Sequence, residues 1–153
     1  MQSGSTGLAS SDRLVAFVDK ASTITKPYII EFKEGRVDTI MQYKEDFLAS
    51  DPQQMHNIIK EIEELYPSKE YGLVLWGHCT GWLVTKDTIA QARPFKAYGP
   101  DNGKNSETDF GAKWMNITQV RGALHGLPKF KFIMGDCCCM MSIEAAYELR
   151  NDS

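Results

Sequence analysis

Two short segments concentrate the side chains of this protein that can do chemistry: Gly77-His78-Cys79-Thr80-Gly81-Trp82 and Gly135-Asp136-Cys137-Cys138-Cys139. A thiol is nucleophilic as its thiolate, and a free cysteine is mostly protonated at neutral pH. A nearby imidazole removes that proton, or holds it as imidazolium and lowers the thiol pKa. The same imidazole can then protonate a leaving amine. A histidine and a cysteine that meet therefore suit acyl transfer, and peptide hydrolysis in particular. The carbonyl oxygen also needs donors, most simply backbone N–H groups beside the nucleophile. Cys138 is expected to begin the turn into a helix, where free N–H groups and the helix dipole favour negative charge.

The elements that must position these segments are legible from patterning. Residues 13–19 and 28–33 read as short apolar strands, and Glu34-Gly35 closes the second. Asp51 and Pro52 open a helix over 52–65, with an apolar stripe of Met55, Ile58, Ile59, Ile62 and Leu65. Residues 71–76 read as a strand covered on both faces, and 130–134 as the next strand. Asn116 caps a short helix carrying Ile117, Val120 and Leu124, and a last helix over 142–150 is expected to bury Ile143, Ala146 and Tyr147. Residues 77–113 form a long connection, whose polar stretch 99–111 is expected to be mobile. The alternation of strands and helices predicts an α/β fold with a largely parallel sheet. In such sheets ligands bind at the carboxyl ends of strands, where both segments lie.

The bulk composition sets limits. The chain has 153 residues, 42% hydrophobic and 24% charged, which suits one core domain over 13–153 behind a flexible, Gly/Ser-rich segment 1–12. Its 17 basic and 20 acidic side chains give a net charge of −3. No basic run marks nucleic acid as a partner. No apolar run approaches the roughly 20 residues of a membrane span. The N-terminus lacks a signal-peptide core, which leaves a cytoplasmic protein and one already freed of an export signal both open. Of the four cysteines, Cys79, Cys137, Cys138 and Cys139, three are consecutive, which is no disulfide framework.

Leu75-Trp76-Gly77-His78-Cys79-Thr80-Gly81-Trp82 resembles the clostripain-family stretch Leu-Trp-Asn-His-Gly-Ser-Gly-Trp. Residues 136–149, DCCCMMSIEAAYEL, resemble that family's Asp-Ala-Cys-Leu-Met followed by a Ser-Ile-Glu helix. Asp136, Met140, Ser142, Ile143 and Glu144 fix the register, so that the family's nucleophile falls on Cys138 and its histidine on His78. The resemblance implies a three-layer caspase-like domain with a mainly parallel sheet flanked by helices. It further implies elements before residue 13 and after residue 150, so that the core here is partial. It implies cleavage of peptides and proteins after Arg or Lys. The oxyanion donors would be the N–H groups of Cys138 and Cys79, and Asp136 would line the pocket for the basic side chain. Export, calcium dependence and activation by a cut between the two segments are also implied, with Arg93 and Lys96 as candidate cut sites. The chemistry itself requires no cofactor. The chain departs from the pattern at Cys79, where the family has glycine, and at Cys137 and Cys139, where it has alanine and leucine. A β-carbon at 79 strains the backbone if that position needs positive φ.

Two other readings of the residues stand beside this one. One keeps the fold and drops the chemistry, as a non-catalytic binding module. The other takes His78, Cys79 and the cysteine triplet as a zinc–thiolate site, although adjacent cysteines do not easily turn toward one ion. Of the remaining histidines, His56 lies between apolar positions of the first helix and is expected at the surface. His125 precedes Gly126 and is expected to cap a helix end. The oxygen-rich stretch Asp101–Asp109 lacks the spacing of an EF-hand loop.

Overall fold

The computed structural model describes residues 6–20, 24–79, 97–101 and 113–152. They form an α/β protein whose chain divides into two compact units, one running to Phe47 and the other beginning at Leu48.

The first unit is a three-stranded antiparallel sheet in the order β1-β2-β3, with β1 at Leu14–Val18, β2 at Tyr28–Lys33 and β3 at Arg36–Gln42. The two apolar runs pair antiparallel, from Leu14 opposite Phe32 to Val18 opposite Tyr28. Glu34 and Gly35, with φ of 50° and 76°, form the two-residue turn from β2 into β3. Two left-handed residues in succession give the twist that a tight hairpin requires. β3 was not expected from the sequence, because its residues are almost all exposed and carry no apolar alternation. Phe17, Tyr43 and Phe47 pack as an aromatic trio, with ring centroids 5.1–6.1 Å apart.

The second unit carries the rest: α1 (Pro52–Leu65), β4 (Gly72–Gly77), β5 (Ala97–Asp101), β6 (Lys113–Asn116), α2 (Ile117–Leu124), β7 (Phe132–Cys137) and α3 (Ile143–Leu149). The side chain of Asp51 accepts from the N–H groups of Gln53 and Gln54, and Pro52 occupies the first turn, as the sequence required. Asn116 and Gln119 form a reciprocal capping box at the start of α2. β4 and β7 pair in parallel, from Gly72 opposite Phe132 to Gly77 opposite Cys137. This is the parallel ladder that the strand–helix alternation predicts. The other described ladders are antiparallel, and the two-residue turn between β2 and β3 permits only that pairing there.

The core of this unit joins Leu75 and Cys79 to Met115, Ile117, Val120, Leu124, Phe130 and Met140. Two placements differ from expectation. α3 buries Ala145 and Leu149, whereas Ile143 and Tyr147 are 81% and 62% exposed. Periodicity alone gives a helix several candidate faces, and packing selects among them. His56 is half-buried, and its Nδ1 lies 2.8 Å from the carbonyl oxygen of Ala123, so that it ties α1 to α2. His125 is the C-cap of α2, its N–H donating to Arg121 and Gly122. No helix among the described residues is long and apolar enough to cross a membrane.

Candidate active site

β7 begins two residues later than its apolar run suggests and continues through Gly135, Asp136 and Cys137. The cysteine segment is thus the end of the strand itself. β4 likewise runs to Gly77. The last rung of the ladder is Gly77 opposite Cys137, so His78 and Cys138 are the first residues beyond it on two strands whose axes lie about 4.8 Å apart. Both are exposed. The exposure follows from strand parity. Gly72, Val74 and Trp76 on β4, and Phe132, Met134 and Asp136 on β7, face outward, whereas Leu73, Leu75 and Ile133 pack toward the core. His78 and Cys138 continue the outward series.

The neighbouring thiols continue the inward series. Cys79 is buried, and its Sγ lies 3.8 Å from the Sδ of Met140. Cys137 is half-buried, and its thiol is pushed up to about 12 by burial, by Cys79 and its hydrogen bond, and by Cys138 and Asp136. A thiol held protonated in this way is a poor nucleophile near neutral pH. All four cysteines are free thiols.

The backbone around the pair is anchored. The N–H of Gly99 donates to the carbonyl oxygen of His78 at 2.9 Å, and Cys79 bridges to Tyr98. The hydroxyl of Tyr98 donates to the carbonyl oxygen of Trp76 at 3.2 Å. Burial, followed by Cys137 and Cys79, raises the pKa of this phenol and keeps it a donor. β5, which sequence patterning left inside a long connection, therefore braces the end of β4. Nothing in its sequence, Ala-Tyr-Gly-Pro-Asp, marks it as a strand; its pairing partners supply that.

The substitution of cysteine for glycine at 79 carries no backbone strain. Among the described residues only Glu34 and Cys139 combine a side chain with positive φ. The side chain of Cys79 enters the core, not the site. Two other residues bear the unusual geometry. Gly77 has φ 146°, a conformation open to glycine and rare for other residues, directly before His78. Cys139 has φ 58° and turns the chain away from β7 directly after Cys138. The turn does not lead at once into the helix, as the sequence suggested. α3 starts at Ile143, capped by Ser142, whose Oγ accepts from the N–H of Ala145. Donors for an oxyanion must then come from the turn backbone and not from the end of α3.

Arg93 and Lys96, the candidate cut sites, lie outside the described residues. The described residues contain no group of three His, Cys, Asp or Glu side chains able to hold a metal, either zinc at the cysteines or calcium elsewhere. Asp101 accepts a hydrogen bond from the N–H of Ala49. A concavity of about 310 Å³, lined by His56, Lys60, Glu63, Glu64 and Gly126–Pro128, lies before the amino end of β7. It contains no thiol and is away from the carboxyl edge that carries His78.

Comparison with known proteins bears on the family and the fold. The model of the clostripain family matches residues 1–153. A secreted C11 cysteine protease from Bacteroides thetaiotaomicron, solved with an irreversible peptide inhibitor, is 28% identical with a TM-score of 0.74, over 99% of this chain and 39% of that one. An inactive zymogen of a C11 protease from Parabacteroides distasonis is 25% identical with a TM-score of 0.65, over 92% of this chain and 35% of that one. A further secreted C11 protease from Bacteroides thetaiotaomicron, called iotapain, has a TM-score of 0.70 over 99% of this chain and 43% of that one; at 21% identity it attests the fold alone. No curated protein matches the chain. The chain thus spans about two-fifths of the length of the solved proteins it resembles.

Proposed function

This chain belongs to the clostripain family of cysteine peptidases, and on that premise we propose that it hydrolyses peptide bonds after Arg or Lys with His78 and Cys138 as a dyad. The observation that carries the reading is the ladder register, which sets these two residues side by side at the carboxyl edge of the parallel pair β4–β7. The Cys138 thiolate attacks the carbonyl carbon, and His78 holds the thiol proton and passes it to the leaving amine. Water then hydrolyses the acyl-cysteine. Backbone N–H groups of Cys138 and Cys79 donate to the oxyanion. Asp136, one outward position before Cys138, pairs with the cationic side chain of the substrate.

The acidic residue in that place supports the preference for basic substrates. The secreted relative supports export of the whole protein. The zymogen relative supports activation by cleavage, which we place at Arg93 or Lys96; full activity of a chain shown to be uncut by intact mass would reject it. Calcium, implied by the resemblance, finds no ligand cluster among the described residues.

The test is labelling by a chloromethyl ketone carrying lysine or arginine, read by peptide mass spectrometry. Selective labelling of Cys138 that falls about 10²-fold or more in His78→Ala is expected. Slow labelling spread over all four cysteines would sink the dyad.

A further inference from the structure

Three sulfur side chains meet on the inner side of the β4–β7 edge. The Sγ of Cys79 lies 3.8 Å from the Sδ of Met140, and these two residues are only 7% and 9% exposed. Cys137 packs against the same cluster, and its thiol is hydrogen-bonded to Cys79. Gly135 leaves the room they need. A β-carbon there would stand 2.5 Å from the Cγ of Met140 and 3.8 Å from the Sγ of Cys137. Two thiols and a thioether, from the ends of β4 and β7 and from the turn after Cys139, thus converge on the face opposite His78 and Cys138. The proposed hydrolysis uses none of the three side chains.

Two thiols fall short of the donor sets that zinc and calcium take, and a thioether serves neither ion. For a soft ion the thioether counts, because thiolate and thioether sulfurs together select Cu(I). At metal–sulfur distances of about 2.3 Å, three sulfurs in a plane around one ion stand about 4 Å from one another. Cys79 and Met140 already have that separation. We propose that Cys79, Cys137 and Met140 bind one Cu(I) ion as a three-sulfur site. On binding, each thiol gives its proton to solvent and forms a metal–sulfur bond, while Met140 donates a lone pair of its thioether. Nothing is oxidised or reduced. Half-buried Cys137 is the way in for the ion. The site is independent of the peptidase reading, since His78 and Cys138 continue the outward series of their strands.

Cys138 and Cys139 are exposed thiols that can take Cu(I) by themselves, so the experiment uses the full chain carrying Cys138→Ser and Cys139→Ser. Cu(I) is titrated without oxygen against bicinchoninate, a coloured competitor, and the bound ion is characterised by X-ray absorption. One ion per chain is expected, with three sulfur neighbours at about 2.3 Å. Cys79→Ala and Cys137→Ala are each expected to weaken binding about 100-fold or more. Met140→Leu keeps the side-chain volume, and is expected to weaken binding about tenfold and to leave two sulfur neighbours. Failure of the chain to retain Cu(I) against the competitor would overturn the proposal. So would undiminished binding in Cys79→Ala, or three sulfur neighbours and unchanged affinity in Met140→Leu. A loss of two hydrogens in intact mass, mapped to a Cys79–Cys137 disulfide in place of the bound ion, would overturn it as well. Should either alanine variant fail to fold, Met140→Leu decides the matter alone.

Discussion

Gly77 and Cys137 face each other as the last pair of a parallel ladder, and this one pairing places the next residue of each strand, His78 and Cys138, at a shared edge. Residues 60 positions apart are thereby brought to neighbouring strand ends by backbone hydrogen bonds alone. The same pairing sorts the thiols by parity. Cys137 and Cys79 go inward, and Cys138 goes outward beside His78.

That sorting predicts the order of thiol reactivity. With its pKa pushed up to about 12, Cys137 is thiolate in only about one molecule in 10⁴ at pH 8. Iodoacetamide at that pH is therefore expected to modify Cys138 well before Cys137 or buried Cys79. Fragmentation spectra of the peptide spanning residues 132–150 distinguish the three adjacent cysteines. Modification of Cys137 ahead of Cys138 would contradict the assignment.

Gly77 predicts a backbone effect on activity. At φ 146° an added β-carbon meets no atom within 4 Å, so Gly77→Ala creates conformational strain without a clash. Such strain costs about 1–3 kcal/mol. It is relieved most easily by rotating the adjacent strand end, which carries His78. A loss of peptidase activity of tenfold or more is expected, with a melting temperature a few degrees lower. Wild-type kinetics in Gly77→Ala would show that the backbone at 77 does not position His78.

The raised thiol of Cys137 makes stability sensitive to alkali. Its pKa moves from 9.0 in the unfolded chain to about 12 in the fold. Between those values the folded state binds one more proton than the unfolded state, so stability falls as pH rises. The raised pKa of Tyr98 adds a fall of the same sign above its ordinary value of 10.0. Urea midpoints measured at pH 7.5, 9.5 and 10.5 should decline, and more shallowly in Cys137→Ser. An equal decline in that variant would place the titrating group elsewhere.

The sequence by itself determined whatever depends on near neighbours in the chain. The caps at Asp51 and Asn116, the Glu34-Gly35 turn, the apolar runs of β1, β2 and β4, and the two motifs with the family they indicate all rest on local bonding or short spacings. The tertiary structure decided what depends on residues far apart. It extended β7 through Asp136 to Cys137, because those residues gain their hydrogen bonds from β4. It made strands of exposed β3 and of β5, whose side chains carry no strand pattern. It turned α3 onto Ala145 and Leu149, and drew His56 against the carbonyl of Ala123. It also sent the cysteine at 79 into the core without strain, and left Trp76 exposed beside Asp136. A side chain's face is set by ladder register and by what packs against it, and neither is a property of the residues next to it in the chain.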